Sequence, residues 1–182
     1  SNGTKWIGTN GEGLLKFNDT TWTVYDTSNS PIPDNWILCT AVDASGNIWI
    51  GTWSNGLVKF SGDSVWDFYN TSNSSLPSDA VYAIQIDGNG DKWIGTRSGL
   101  AFFDGTNWTT YTTANSGIQD DWIRSISIDA SGDKWIGTNF TGIAKFDGTS
   151  WTTYHSMNSN LADNRIRAIA FDASGDKWIA TL

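Results

Sequence analysis

The sequence predicts an all-β fold, a β-propeller built from four-stranded antiparallel blades, with about four repeats of about 43 residues each. The first observation behind this prediction is a Trp-Ile-Gly-Thr motif that recurs every 42 to 44 residues, with Ala in place of Gly in the last copy. The second is that short alternating apolar segments, separated by turns rich in Gly and Asp, fill each interval. The motif places one structural Trp in every repeat, and these residues are Trp6, Trp49, Trp93, Trp135 and Trp178.

Each repeat is predicted to contain four short strands. In the third complete repeat, residues 123–128 alternate between Ile and a small or polar residue, which indicates an inner strand. An Asp-Ala-Ser-Gly-Asp turn leads to the second strand at residues 134–138, which carries the motif. Residues 143–146 form the third strand, and an Asp-Gly-Thr turn leads to the outer strand at residues 150–154.

One repeat cannot bury both faces of its own sheet, so neighbouring repeats must pack against each other. The Trp of the motif is expected to fill the space between blades, because burying an aromatic side chain gives a large apolar gain. The chain is therefore expected to be a single repeat array over residues 1–182. Its units are predicted at approximately residues 1–36, 37–79, 80–122 and 123–165, with a partial unit at 166–182.

Further motifs surround the Trp-Ile-Gly-Thr core, and they lie at Leu76-Pro77, Ile126 to Asp129, Gly132, Trp135 to Thr138, Gly99-Leu100 and Phe103 to Gly105. Together these motifs resemble the two-component-regulator propeller repeat. Such propellers are typically extracytoplasmic sensor regions of bacterial hybrid histidine kinases, or parts of secreted proteins. The resemblance thus implies non-catalytic ligand sensing or scaffolding, and a periplasmic or secreted location.

The predicted strands leave the closure of the ring open. The sequence begins at a second strand and ends with an inner strand followed by another second strand, so one second strand is surplus. The chain could be a segment of a longer propeller, or a four-bladed ring with one terminus displaced. Alternatively, two chains could join head to tail into a larger ring, because unsealed blade edges invite pairing. We slightly favour this homodimer, because the resemblance implies rings that usually have more than four blades.

One end of every blade is variable between repeats. Antiparallel strands put alternate connections at opposite ends, and the turns at the first end barely change while the loops at the second end differ. Aromatic residues could stack on a glycan or a peptide there, and arginines could pair with acidic groups. The competing interpretation is that these positions drift freely, or that Trp36 and Trp122 pack into the ring. The candidate ligand-binding residues are Trp36, Trp53, Tyr82, Arg97, Trp122, Arg124, Phe140, Arg165 and Arg167.

The sequence offers little that suggests catalysis, a cofactor or a metal. His155 is the only histidine and Cys39 the only cysteine, so neither a zinc cluster nor a Ser-His-Asp arrangement is indicated. A propeller hydrolase or lyase remains an alternative, since Asp120-Asp121 is a pair of carboxylates, although adjacent residues should point apart. The net charge of −8 argues against a nucleic-acid partner. No run of about 20 apolar residues predicts a membrane segment in this chain.

Overall fold

The computed structural model describes residues 3–62 and 64–182, and it confirms the all-β propeller prediction. The described residues contain no helix, so none could cross a membrane as a helical span. Their strands form antiparallel sheets that follow one another along the chain, and the strands of each four-stranded sheet run in chain order from an inner to an outer strand.

Three of these sheets have four strands. The second sheet contains β4 (Ile37–Val42), β5 (Ile48–Thr52), β6 (Leu57–Ser61) and β7 (Val65–Tyr69). The third contains β8 (Val81–Ile86), β9 (Lys92–Thr96), β10 (Gly99–Phe103) and β11 (Trp108–Tyr111). The fourth contains β12 (Ile123–Ile128), β13 (Lys134–Thr138), β14 (Ile143–Phe146) and β15 (Trp151–Tyr154).

The first and the last sheet are smaller. The first contains β1 (Lys5–Gly8), β2 (Leu14–Phe17) and β3 (Trp22–Tyr25), which correspond to a second, a third and an outer strand. The fifth contains β16 (Ile166–Phe171) and β17 (Lys177–Thr181), which correspond to an inner and a second strand. Consecutive sheets pack through their inner strands, with β4 against β8, β8 against β12, and β12 against β16.

The Trp of the repeated motif lies between sheets wherever a following sheet covers it. Trp49 is only 2% exposed, and Trp93 and Trp135 are similarly buried. A lysine of the next sheet completes each contact, with Lys92 Nζ 4.9 Å from the Trp49 ring and Lys134 Nζ 5.0 Å from the Trp93 ring. In the described chain no sheet follows the fifth one, and its Trp178 is 66% exposed.

The Gly of the motif is required by the close approach of the next inner strand. A Cβ atom at Gly95 would lie 2.7 Å from Ile123 Cγ2, and Gly8 is in the same situation, with Ile37 Cγ2 at 2.6 Å. Such distances are too short for a side chain to be accepted without movement of the neighbouring strand. The fifth sheet carries Ala180 at this position, where the described chain places no further strand.

Candidate ligand-binding face

The two variable connections of each blade meet at one end of the sheets, which we call the variable-loop face. It is defined by the residues that precede or begin the inner strands and by those that follow the second strands. A backbone hydrogen bond joins the two connections, from Trp53 N to Trp36 O (3.0 Å) and from Asn139 N to Trp122 O (2.9 Å). The face is thus a set of loops fixed to a sheet framework. Its candidate residues are Trp36, Trp53, Tyr82, Arg97, Trp122, Arg124, Phe140, Arg165 and Arg167.

Two aspartates hold these loops in place, although the sequence predicted this role for neither of them. Asp34 accepts hydrogen bonds from the backbone N–H groups of Trp36 (2.9 Å) and Ser54 (3.1 Å). Asp120 does the same for Trp122 (3.0 Å) and Phe140 (2.8 Å). Each carboxylate therefore joins the start of an inner strand to the loop that follows the second strand. The spacing Asp-x-Trp, which occurs immediately before both of these inner strands, is the signal that could have identified them.

The structure brings the aromatic candidates into one continuous series of ring contacts. The ring centroids of Trp36 and Trp53 are 6.0 Å apart, and Trp53 lies 6.1 Å from Tyr82 of the next sheet. Tyr82 lies 5.7 Å from Trp122 of the sheet after that, and Trp122 lies 6.2 Å from Phe140. These separations are those of interacting aromatic pairs, so the series links three sheets through side chains.

The outer members of the series remain accessible. Trp36 is 46% exposed, Trp53 is 42% exposed and Phe140 is 60% exposed. Tyr82 and Trp122 at the centre are half-buried. The alternative drawn from the sequence, in which Trp36 and Trp122 pack into the ring, therefore describes Trp122 in part but not Trp36.

Two arginines lie on the central rings. The guanidinium carbon of Arg124 is 5.1 Å from the Tyr82 ring and 4.8 Å from the Trp122 ring. The guanidinium carbon of Arg97, from the neighbouring sheet, is 5.1 Å from the same Trp122 ring. Desolvation lowers the pKa of Arg124, and the positive charge of Arg167 lowers it further. Arg124 thus lies in a partly dry, electropositive environment.

Arg165 and Arg167 stand apart from the ring contacts. Arg165 forms an ion pair with Asp163, with 3.1 Å between Nη2 and Oδ2, and its Nε also donates to that carboxylate. Arg167 is exposed on β16 and makes no side-chain hydrogen bond or ion pair with a described residue. These two arginines therefore differ, because Arg165 has an acidic partner among the described residues and Arg167 does not.

Two polar atoms at the centre of the face lack hydrogen-bond partners within the described part of the chain. They are the Tyr82 hydroxyl and the Trp122 Nε1, and both are buried. A buried donor without a partner costs free energy, so such groups in a native protein call for a specific explanation.

Residues with catalytic potential have structural roles. His155 Nδ1 accepts a hydrogen bond from Met157 N (3.3 Å), and Asp26 caps the equivalent loop through Ser28 N (2.7 Å). Asp121 bonds Thr113 N (2.7 Å), whereas Asp120 bonds the variable loops, so the two carboxylates serve different segments as expected. The described residues contain no group of three or more potential metal ligands.

Cys39 lies between the second and third sheets. Its Sγ is 3.7 Å from the carbonyl oxygen of Val81, and the residue packs against a cluster of buried apolar side chains. Desolvation raises the pKa of the thiol to about 12, so the reactive thiolate is disfavoured at neutral pH.

One repeat of the chain matches a known family. Residues 31–54 match the family described as "Two component regulator propeller". This match confirms the resemblance of the motifs to that repeat. The matched segment includes Trp36, Cys39 and the Trp49 motif, so it spans one inner strand, one second strand and part of the variable-loop face. No curated protein sequence matched the chain significantly.

Solved structures with a similar fold include two extracellular domains and a lyase. The extracellular domain of BT3049 from B. thetaiotaomicron, assigned to a hybrid two component system, is 26% identical, with a TM-score of 0.88 over 98% of this chain. The extracellular domain of BT4673 from the same organism is 23% identical, with a TM-score of 0.77 and 98% coverage. This chain spans 25% of the length of each of those two chains. Virginiamycin B lyase from Staphylococcus aureus is 17% identical, with a TM-score of 0.79 over 99% of this chain and 60% of that chain.

Proposed function

We propose that this chain is part of a non-catalytic sensor or binding module, located outside the cytoplasm, whose variable-loop face binds a glycan or a peptide. The observation that carries the proposal is the continuous series of aromatic contacts on that face, three members of which stay largely exposed. Exposed aromatic rings beside arginines and rigid loops are typical of recognition surfaces. The location follows the two extracellular domains to which the chain is similar.

The absence of catalysis is part of the proposal and has its own support. The single histidine caps a loop, and the adjacent carboxylates of Asp120 and Asp121 are engaged with backbone N–H groups. The lyase with a similar fold keeps an enzymatic interpretation open, and one of its structures is a catalytically inactive histidine-to-alanine variant with quinupristin. We expect no product in turnover assays on polysaccharides or on quinupristin. Product that forms with purified protein and disappears in His155→Ala would contradict this part of the proposal.

Ligand binding can be tested by a glycan array and a peptide library, followed by titration of the strongest hit. The Trp53→Ala/Trp122→Ala variant should reduce affinity for that hit at least about a hundredfold, because it removes an exposed ring and the central ring of the series. Trp22→Ala is the matched control, since Trp22 is an exposed Trp on the first sheet, away from the face. Thermal melting must show that the variants fold. Unchanged affinity in the folded double variant would contradict the assignment of the site.

A second candidate function is structural, namely self-assembly into a ring of two chains. It is favoured by apolar side chains exposed on both the first and the fifth sheet, where Ile7 and Trp178 are not covered by a further sheet of the described chain. Ala180 opposes it, because a Cβ atom at this position would meet an inner strand docked at the spacing of the other sheets.

Light scattering at high protein concentration tests this candidate. A two-chain mass is expected if the exposed sheets pair, and Ala180→Gly should then shift the equilibrium further towards the dimer. A strictly monomeric mass for both proteins would exclude self-assembly through these faces and would leave the ligand-binding proposal intact.

A further inference from the structure

We infer that the variable-loop face selects an acidic oligosaccharide, whose carboxylate binds Arg124 between the flanking guanidinium groups of Arg97 and Arg167. This inference rests on the proposed binding function and adds the charge and the chemical class of the ligand.

Positive charge is distributed unevenly over the chain. All four arginines of the protein lie on the variable-loop face, whereas the seven lysines lie elsewhere. Several lysines are used within the fold, where Lys145 pairs with Asp133 and Lys92 covers the Trp49 ring. On the face, only Arg165 has an acidic partner among the described residues, and the side chains of the other three arginines make no hydrogen bond or ion pair with them. Unpaired arginines gathered on one face of a chain with a net charge of −8 point to an anionic ligand.

The position of Arg124 makes it the centre of the anion subsite. Its guanidinium lies between two aromatic rings, at 5.1 Å from Tyr82 and 4.8 Å from Trp122, which restricts its motion before a ligand arrives. Partial desolvation and the charge of Arg167 both disfavour the cation, as the lowered pKa of Arg124 records. A bound carboxylate would reverse that effect, because a guanidinium can hold a carboxylate through two parallel hydrogen bonds.

The two unpartnered donors add a requirement for hydroxyl groups. The Tyr82 hydroxyl and Trp122 Nε1 are buried beside the Arg124 guanidinium. A ligand that draws the guanidinium outward also opens a path to these atoms, and then a ligand hydroxyl or a water can accept their hydrogen bonds. The free energy lost by leaving them unpaired would be recovered on binding.

A uronic acid offers these features on one ring. Its carboxylate suits the arginines, its hydroxyls suit the unpaired donors, and its C–H surface suits the exposed faces of Trp53 and Trp36. An acidic peptide presents carboxylates on flexible stems and few hydroxyls, so it would satisfy the arginines but not the unpaired donors. The combination of arginines and unpaired donors therefore favours a carbohydrate ligand that bears a carboxylate.

The test uses oligogalacturonate of defined length, its fully methyl-esterified form, and a poly-glutamate peptide, each titrated by calorimetry and Trp fluorescence. The ester keeps the sugar and removes the charge. We expect the acid to bind at least about tenfold more tightly than the ester, a difference of about 1.4 kcal/mol. Arg124→Ala should lower affinity for the acid to that for the ester, while Lys5→Ala, which removes a cation paired with Asp19 on the first sheet and outside the face, should change neither.

The outcomes separate the inference from the proposed function. Equal binding of acid and ester would overturn the inference and leave a glycan-binding module. Binding of poly-glutamate alone, with loss in Arg124→Ala, would overturn the carbohydrate assignment in favour of an acidic peptide. Failure of all three probes would overturn the inference, and the glycan and peptide screens would then decide the proposed function independently.

Discussion

The two ends of the blades are built from the same strands but use their polar side chains differently. At the end opposite the variable-loop face, which we call the turn face, an Asp after each inner strand repeats one set of hydrogen bonds. Asp129 accepts from Ser131 N and Asp133 N (both 3.0 Å) and from Trp135 Nε1 (2.9 Å). Asp43 binds its own turn and the Trp49 indole in the same way.

At the variable-loop face, by contrast, the indole of Trp122 has no acceptor and three arginines have no anion among the described residues. At the turn face the Asp of each repeat satisfies the N–H groups of its own turn and the indole of the motif Trp, so this end stabilises the fold. The variable-loop face keeps polar groups unsatisfied and aromatic rings exposed, which is a feature of a surface that is completed by another molecule. Under the proposed function, stability and recognition are therefore assigned to opposite ends of the same sheets.

The largest expected difference is in unfolding free energy, between replacing a Trp buried between two sheets and replacing a Trp exposed on the variable-loop face. Trp93→Ala should lower the free energy of unfolding by about 3–5 kcal/mol, because it removes a buried ring between two sheets. Trp53→Ala should cost less than about 1 kcal/mol, because that ring is 42% exposed. Urea denaturation followed by circular dichroism measures both. Similar losses in the two variants would show that the variable-loop face is also a stabilising element.

An intermediate effect is expected for the aspartates that organise each end. Asp129→Ala leaves two backbone N–H groups and the Trp135 indole without their acceptor, and should cost about 1–3 kcal/mol in unfolding free energy. Asp120→Ala frees the backbone N–H groups of Trp122 and Phe140 on exposed loops, so it should cost less but weaken ligand binding. Hydrogen exchange at Phe140 N should accelerate in Asp120→Ala. Equal losses of unfolding free energy in the two variants, together with unchanged ligand affinity in Asp120→Ala, would contradict this division of roles between the two ends.

The smallest expected effect is a decrease in the free energy of unfolding at low pH, which arises from aspartates at the turn face. Backbone N–H groups of Ser150 and Thr149 lower the pKa of Asp147 to about 2, and the Trp178 indole and backbone N–H groups lower the pKa of Asp172. Because these pKa values are depressed in the folded state, the stabilisation is complete above the unfolded value of 3.8 and is lost as pH falls towards 2. In Asp147→Asn the free energy of unfolding should fall less steeply between about pH 4 and pH 2, as measured by denaturation at a series of pH values. If the free energy of unfolding of the variant depended on pH in the same way as that of the parent protein, other groups would be responsible for the acid sensitivity.

Much of the framework could be predicted from the sequence because its signals are local. Alternation over residues 123–128 predicted the inner strand that the structure has at Ile123–Ile128, and the motif at residues 134–138 coincides with β13. The outer strand was placed one residue early, since it begins at Trp151. The loop-holding roles of Asp34 and Asp120 were missed, because a hydrogen bond across 20 residues leaves no periodic pattern in a single repeat.

The sequence by itself determined the repeated sheets, the Trp position that is buried where a further sheet covers it, as at Trp49, Trp93 and Trp135, and the end at which the repeats differ, because alternation, turn residues and repeat spacing act within about 40 residues. Only the tertiary structure decided which variable side chains touch. Trp53 meets Tyr82, and Arg97 meets Trp122, across sheet boundaries that depend on the angle between blades. It also decided that Arg165 is paired while Arg124 is not. These contacts depend on how neighbouring sheets are placed, and that placement is set by packing between blades.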